Sequence, residues 1–278
     1  MNLRLGLRSL ICLWSKRSNK MSGIHVFGQT PSVLGIIMLD TQFPRPLGDV
    51  GHTQTFGVSV HHDMVKGVWP AKVVTSAASL RQARLLPSFQ GIVRNMQMRG
   101  VQAITTSCGF LVLLQKELQA VTKLPVVTSS LLQLPALLRL ESRVGVLTIS
   151  ASSLSSEHLR AAGVPKERLK DVIIQGMPPA GEFFTKIMGN QPTLDVALAS
   201  QEAVFAALAL KARAPELRSI VLECTNLPPY QSAIGAATGW KIYSLQTDPR
   251  LRKVIEATLA KSAPAVEAQN AASSGENT

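Results

Sequence analysis

The chain is poor in cysteine and in aromatic residues, and both shortages limit what it can be. Its 278 residues include three cysteines, Cys12, Cys108 and Cys224, and no two of them form a Cys-x-x-Cys pair. An odd number of widely separated cysteines argues against a disulfide scaffold and against a zinc site, and it favours a reducing, cytoplasmic compartment. Aromatic residues make up 5% of the chain, and no basic run interleaves with them. We therefore predict that nucleic acid is not a partner.

Long hydrophobic runs are also missing. The stretch of residues 131–140 is interrupted by Gln133, Pro135 and Arg139, whereas a membrane-spanning helix needs about 20 consecutive apolar residues. The composition, with 46% hydrophobic and 17% charged residues, is that of a globular protein long enough for two domains. We therefore expect no membrane partner.

Acidic residues are absent from the first 22 residues, which carry five of the positive charges in a formal net charge of +12. Residues 1–22 resemble an organelle transit peptide, and the alternative is a start codon assigned too early, with Met21 as the natural first residue. The remaining basic residues are scattered, which predicts a solvated surface. The polar residues 263–278 are predicted to form a disordered tail.

What the chain does contain is a regular alternation of short apolar runs and helical patterns. Runs such as residues 33–39 and 144–149 are typical of strands buried on both faces of a parallel sheet. Residues 68–74 are predicted to form the second strand, after an irregular segment at residues 51–62. The alternation predicts an α/β fold.

The alternation occurs in two successive copies. We therefore predict two similar Rossmann-like parallel-sheet domains related by pseudo-twofold symmetry, with the active site in the cleft between them. The first domain is predicted to comprise residues 23–135 and 240–262, and the second residues 136–239.

Two of the apolar runs end in the same kind of sequence. One leads into Ser107-Cys108-Gly109, and the other leads into Glu223-Cys224-Thr225-Asn226. Ligands of open α/β sheets bind at the carboxyl ends of the strands, so we predict that the two thiols face each other across the cleft. A cysteine that opens a helix lies near free backbone N–H groups, which is expected to lower its pKa.

Two thiols on opposite sides of a substrate carbon suit a proton transfer in both directions. A thiolate removes the proton from one face, and a thiol returns it to the other, which inverts the stereocentre. Neighbouring hydroxyl and backbone N–H groups, such as those of Ser107, would stabilise the charge that develops on the substrate. The alternatives are inert buried cysteines and a redox pair, but the matched settings favour a paired function.

Other polar residues have weaker signals. His61-His62 is adjacent rather than helically spaced, so we predict no metal site, and His158 is expected on a surface helix. Glu223 has either a structural hydrogen-bonding role or a role in tuning the thiol. Asp40 and Arg45 follow the first strand. Asp40 either forms a turn or binds substrate, and Arg45 is either a surface charge or a substrate-binding residue.

These residues together resemble a known family. Cys108 and Cys224 at equivalent strand ends, Asp40-Thr41 after the first strand, Thr128-Ser129-Ser130 and Glu223-Cys224-Thr225-Asn226 are similar to motifs of the aspartate/glutamate/hydantoin racemase superfamily, over roughly residues 33–255. The resemblance implies a racemase or epimerase that needs no cofactor and acts on an amino acid or a related small carboxylate or hydantoin. It also implies that the protein can form a homodimer. It implies acid and base roles for the two cysteines and substrate contacts from Thr41, Thr128, Ser129, Thr225 and Asn226. We also predict a substrate contact at Gly109, which follows the first of these cysteines.

The sequence departs from the better-known amino-acid racemases in two places. Gly109-Phe110 stands where those enzymes usually have Asn-Thr, and Leu227-Pro228-Pro229-Tyr230 occupies the stretch that often holds a histidine. Both changes favour a less polar substrate or a hydantoin-like ring. The alternatives are an enzyme similar to maleate isomerase or arylmalonate decarboxylase, and a small-molecule-binding protein without catalysis.

Overall fold

Two four-stranded parallel sheets organise the fold of residues 32–82 and 84–262, the part of the chain that this computed structural model describes. Their orders are β2-β1-β3-β4 and β6-β5-β7-β8, so both sheets repeat one topology. This confirms the α/β class with parallel sheets, while the pseudo-twofold relation and the domain boundaries remain predictions. The strands are β1 (Leu34–Leu39), β2 (Val60–Val65), β3 (Ala103–Thr106), β4 (Val126–Val127), β5 (Val144–Thr148), β6 (Val172–Gly176), β7 (Ser219–Leu222) and β8 (Lys241–Tyr243).

Helices connect the parallel strands, and short 3₁₀ helices follow several strand ends. The 3₁₀ segments are Gly109–Leu114, Ser130–Gln133, Lys166–Asp171, Pro228–Tyr230 and Leu245–Thr247. The α-helices of the described residues are α1 (Pro70–Val73), α2 (Ala77–Gln82), α3 (Leu86–Met98), α4 (Gln115–Gln119), α5 (Leu134–Leu140), α6 (Ser156–Ala161), α7 (Glu182–Met188), α8 (Val196–Arg213), α9 (Gln231–Thr238) and α10 (Pro249–Ser262).

The strand β1 shows why its sequence is apolar throughout. Successive side chains of a strand point to opposite faces, and both faces of β1 are covered: Ile37 and Leu39 pack in one apolar cluster, Leu34 and Ile36 in another. The first cluster also contains buried residues of the second sheet, such as Val146. The two sheets therefore share one core, which holds their strand ends at fixed positions.

The second strand lies earlier in the chain than the sequence predicted, and the prediction for residues 68–74 is wrong. The strand is β2, and α1 occupies most of the predicted range. Since β2 is an edge strand, most of its residues are partly exposed and it can carry His61 and His62 without a continuous apolar run. Pro70 begins α1, where its fixed φ favours a helical first turn.

The predicted leader at residues 1–22 and the predicted tail at residues 263–278 lie outside the described residues. Within residues 32–82 and 84–262, no helix combines the length and the hydrophobicity that crossing a bilayer requires.

Candidate active site

A small pocket lies where the carboxyl ends of β3 and β7 meet. Its volume is about 20 Å³, roughly the space that one or two buried waters need. The wall contains both predicted cysteines and is otherwise mostly apolar. Its described lining residues are Leu39, Thr41, Phe43, Pro70, Val74, Ser107, Cys108, Gly109, Phe110, Ile149, Ile187, Glu223, Cys224, Thr225 and Asn226.

Cys108 follows β3 and is 7% exposed. The carbonyl of Cys108 accepts a hydrogen bond from the Thr106 hydroxyl (3.0 Å) and another from the Leu111 N–H (3.2 Å). The preceding Ser107 accepts a hydrogen bond from the N–H of Leu39 through its hydroxyl oxygen (3.0 Å). These bonds fix the Cys108 backbone against the ends of β1 and β3.

Cys224 follows β7 and is 6% exposed. Its Sγ donates to Oδ1 of Asn226 (3.6 Å), and Nδ2 of Asn226 donates to the Asp49 carboxylate (2.6 Å). Asp49 in turn accepts from Nη1 of Arg45 at 2.7 Å. A continuous chain of hydrogen bonds therefore connects the second thiol to a buried ion pair in the loop after β1.

The two cysteine loops are joined directly. The Thr225 hydroxyl donates to the carbonyl of Ser107 at 2.6 Å, and the N–H of Val50 donates to the carbonyl of Thr225 at 3.2 Å. The Ser130 hydroxyl also donates to the carbonyl of Leu222 at 2.6 Å. The structure thus brings together the two strand ends that the sequence paired.

The thiols have raised pKa values, contrary to the expected lowering. Burial, with a smaller contribution from the charge of Glu223, raises the pKa of Cys108 to about 12 and that of Cys224 well above its ordinary value. The expected helix dipole is weak because Cys108 opens a six-residue 3₁₀ helix rather than a long α-helix. Backbone N–H groups of Phe110 and Leu111 still favour the Cys108 thiolate, but burial outweighs them.

Glu223 lies in the pocket wall and is 1% exposed. Its Oε2 accepts from the Thr148 hydroxyl at 2.7 Å, whereas Oε1 has no hydrogen-bond partner in the described part of the chain. Burial raises the pKa of this carboxyl to about 7, and the bond from Thr148 partly opposes the shift. A Cβ atom at Gly109 would lie 2.3 Å from Oε1, so only glycine fits beside it.

Four of the predicted substrate residues are not among the described residues of the pocket wall. Asp40 accepts from the N–H of Gly67 (2.8 Å), and Arg45 pairs with Asp49 and donates to Thr41 Oγ1 (2.8 Å). Thr128 donates to Gln115 (2.8 Å), and Ser129 caps the 3₁₀ segment that begins at Ser130, by accepting from the N–H of Leu131. Each side chain thus has a structural bond, and its contact with a substrate remains a prediction.

Several pocket residues have no sequence signal. Pro70, Val74 and Ile187 come from helices or turns between strands, and nothing in their local pattern marks them. His158, expected on a surface, is buried against Phe110 with ring centroids 4.9 Å apart, and burial lowers its pKa to about 4. It thereby supports one aromatic wall of the pocket from behind.

No group of three or more His, Cys, Asp or Glu side chains within residues 32–82 and 84–262 is placed to hold a metal ion.

Sequence comparison finds lyases. No protein-family model matches the chain. A dimethylsulfoniopropionate lyase from Durusdinium sp. clade D is 28% identical over 231 residues, 78% of this chain and 73% of that protein. Dimethylsulfoniopropionate lyase 6 from Emiliania huxleyi is 30% identical over 223 residues, 76% of this chain and 56% of that protein. The chain therefore spans little more than half the length of the second relative.

Structure comparison finds racemases and a decarboxylase. A glutamate racemase from Bacillus anthracis superimposes with a TM-score of 0.53 at 16% identity, over 84% of this chain and 83% of that one. A cysteine-for-glycine variant of arylmalonate decarboxylase, in a sulfate-associated form, gives 0.52 at 15% identity, over 81% of this chain and 93% of that one. These identities support the fold alone. The chain shares its fold with this glutamate racemase and with arylmalonate decarboxylase, which confirms the fold that the resemblance of its cysteine motifs implied.

Proposed function

We propose that the protein is a lyase that removes a proton from the carbon beside a carboxylate and releases a leaving group from the next carbon, with dimethylsulfoniopropionate as the substrate. The single observation that carries the reaction type is the presence of Cys108 and Cys224 in the wall of one small buried pocket. The substrate is supported by the two lyases of 28% and 30% identity, each aligned over three quarters of this chain.

The elimination needs one base. The thiol of Cys108 loses its proton to solvent as the cationic substrate binds, and the thiolate then takes a proton from the carbon beside the carboxylate. That electron pair forms the carbon–carbon double bond while the carbon–sulfur bond breaks. Dimethyl sulfide leaves with the bonding pair on sulfur, acrylate remains, and Cys108 is again a thiol.

The surroundings of the two thiols support different roles. Two backbone N–H groups, of Phe110 and Leu111, favour the thiolate of Cys108. One backbone N–H, of Asn226, favours that of Cys224, whose sulfur also faces the acceptor oxygen of the Asn226 side chain. An acceptor beside a thiol stabilises the protonated form. Cys224 therefore stays protonated, and its S–H turns from Asn226 Oδ1 towards the charge that develops on the substrate carboxylate.

The apolar wall supports a sulfonium substrate over an ordinary amino acid. Phe43, Phe110, Val74, Ile149 and Ile187 supply surface for two methyl groups and exclude water from the carbanion-like transition state. We propose that the polar contacts to the substrate carboxylate come from the hydroxyls of Thr41 and Ser107, the side-chain amide of Asn226, and the backbone N–H groups of Gly109 and Thr225.

Racemisation is the second candidate, because the matched placement of two thiols exceeds what an elimination requires. In that reaction Cys108 removes the proton from a stereocentre and Cys224 returns one to the opposite face. The superfamily fold is compatible with both reactions, which share their first proton abstraction.

One assay separates the candidates. Purified wild type, Cys108→Ser and Cys224→Ser are each incubated with dimethylsulfoniopropionate while dimethyl sulfide is followed by gas chromatography, and in parallel with amino acids and hydantoins in D₂O. We expect stoichiometric dimethyl sulfide and acrylate from wild type and a loss of at least about 100-fold in Cys108→Ser. Deuterium entry into a stereocentre without release of dimethyl sulfide would favour the racemase. Absence of both reactions in folded protein would favour a binding protein.

A further inference from the structure

Glu223 lines the pocket with a carboxylate that the proposed mechanism does not use, and its Oε1 lies beside Gly109 without a hydrogen-bond partner in the described part of the chain. We propose that this oxygen recognises a positive charge on the bound molecule, so that the site selects small carboxylates that also carry a cationic group. The inference rests on the proposed function, because it names the class of substrate that the two-cysteine pocket accepts.

The first support is geometric. Buried polar atoms are nearly always hydrogen-bonded, and an exception needs an explanation. Glu223 is 1% exposed, and its Oε2 is satisfied by Thr148 at 2.7 Å, while Oε1 is buried and without a partner in the described part of the chain. Since Glu223 belongs to the pocket wall, the positive charge of a bound molecule can compensate this oxygen. A sulfonium or a quaternary ammonium does so electrostatically, because it has no N–H or O–H to donate.

The second support is the arrangement of charge. The guanidinium of Arg45 donates hydrogen bonds to Asp49 at 2.7 Å and to the Thr41 hydroxyl oxygen at 2.8 Å. It therefore does not neutralise the charge of Glu223. The ionisable side chains in the described pocket wall are Glu223, Cys108 and Cys224, and none of them carries a positive charge. Burying a carboxylate without a counter-charge costs free energy. A cationic group on the ligand would provide that counter-charge.

The same cation would prepare the thiol for reaction. The charge of Glu223 is among the causes that raise the pKa of both cysteines. A cation placed against Oε1 offsets that charge and lowers the cost of a thiolate nearby. Binding of a cationic substrate and formation of the Cys108 thiolate are therefore coupled, which disfavours a reactive thiolate in the empty site.

A purely structural role predicts different behaviour. Glutamine has the shape of glutamate and can still accept from Thr148, so Glu223→Gln would then leave ligand preference unchanged. A neutral Glu223 that donates to the substrate carboxylate would favour the uncharged ligand of a matched pair. Both alternatives give results that differ from cation recognition.

The test uses a pair of ligands that differ only in charge. The cation is 3-(trimethylammonio)propionate, and its uncharged carbon analogue is 4,4-dimethylpentanoate. Binding to wild type, Glu223→Gln, Glu223→Asp and the exposed control Glu167→Gln is measured by calorimetry at pH 8. We expect wild type and Glu167→Gln to prefer the cation by about 10-fold or more, as the attraction between opposite charges at a buried site predicts, and Glu223→Gln to lose the preference.

Glu223→Asp keeps the charge and shortens the side chain, so it should retain a weaker preference even if the glutamine variant fails to fold. An unchanged preference in folded Glu223→Gln, or tighter binding of 4,4-dimethylpentanoate by wild type, would overturn the inference. The ligands report binding rather than dimethyl sulfide release. A failed lyase assay with a persistent, Glu223-dependent preference would therefore reject the proposed reaction and keep the recognition site.

Discussion

Asn226 donates a hydrogen bond of 2.6 Å from Nδ2 to the carboxylate of Asp49, and this bond determines which way its amide faces. A carboxylate accepts hydrogen bonds, so the amide nitrogen must point to Asp49 and Oδ1 must point to the Cys224 sulfur, 3.6 Å away. Backbone N–H groups favour both thiolates, those of Phe110 and Leu111 at Cys108 and that of Asn226 at Cys224, but the sulfur of Cys224 also faces this amide oxygen. The two thiols therefore occupy similar places in the fold but different electrostatic surroundings.

Replacing Asn226 by alanine tests that difference. Loss of the Oδ1 acceptor should lower the pKa of Cys224, which ultraviolet thiolate absorbance measures in a pH titration without any substrate. Loss of orientation at the second thiol should lower kcat by roughly 10-fold to 100-fold with a smaller change in KM. The exposed Gln54→Ala in the neighbouring loop is the control, and an unchanged Cys224 titration would contradict the assignment.

Gly109→Ala should be destabilising. The added Cβ would lie 2.3 Å from both the carbonyl oxygen and Oε1 of Glu223, and overpacking of this kind costs about 1–3 kcal/mol. Gly91→Ala is the matched control, because a Cβ there meets nothing within 4 Å and alanine favours the helix α3. Urea unfolding should show a lower free energy of unfolding for the first variant and an equal or higher one for the second.

Stability should depend on pH through Glu223. Its pKa is raised from 4.5 to about 7, so the folded state holds this proton more tightly than the unfolded chain does. The free energy of unfolding should therefore fall as pH rises through that window, by about 3 kcal/mol from this group. In Glu223→Gln this decrease should be absent, as urea unfolding at pH 5 and pH 8 would show.

The pH dependence of wild-type stability must be compared with that of Glu223→Gln, because ionisation of His158 changes the free energy of unfolding in the opposite direction. Burial lowers its pKa from 6.5 to about 4, so its contribution to stability rises with pH between those values. The difference between wild type and Glu223→Gln isolates the carboxyl, and Glu167→Gln should behave as wild type does. Parallel pH profiles for all three proteins would show that Glu223 ionises as freely as an exposed glutamate.

The Cys108 thiol should react slowly with thiol reagents when no substrate is added. A pKa of about 12 for Cys108, against an ordinary 9.0, reduces the thiolate fraction at pH 7 by about 1,000-fold. Iodoacetamide should thus modify Cys108 at least that much more slowly in native protein than in urea, as mass spectrometry of its peptide would show. Similar rates in both states would mean that the native thiol is exposed or already ionised.

The sequence predicted the parts of the site that lie at strand ends. Cys108 and Cys224 follow short apolar runs, and the carboxyl ends of parallel strands define a ligand-binding edge. The proximity of the two cysteines could therefore be inferred from the sequence alone. The resemblance to the racemase superfamily implied substrate contacts from Thr225 and Asn226. Both residues belong to the pocket wall, as does Ser107 beside Cys108, and their contact with a substrate stays a prediction.

Other parts depend on packing that has no local signature. The edge strand β2 contains His61 and His62, and these polar residues interrupt the apolar run by which a strand is predicted. The helix α7 contributes Ile187 to the pocket from a segment without a marked sequence pattern. The pKa of each thiol depends on burial by residues distant in the sequence, and a motif cannot report burial. The unpartnered oxygen of Glu223 is likewise visible only once Gly109 and Thr148 are placed beside it.

The hydrogen bond from Thr225 to Ser107 also bears on how a ligand arrives. It ties the two cysteine loops together at the floor of a space that holds little more than one water. A substrate of several non-hydrogen atoms can enter only if part of the wall yields, and α1 and α7, which contact each other, both contribute to that wall. We therefore expect gated association, with an on-rate well below the diffusion limit and set by separation of these two helices.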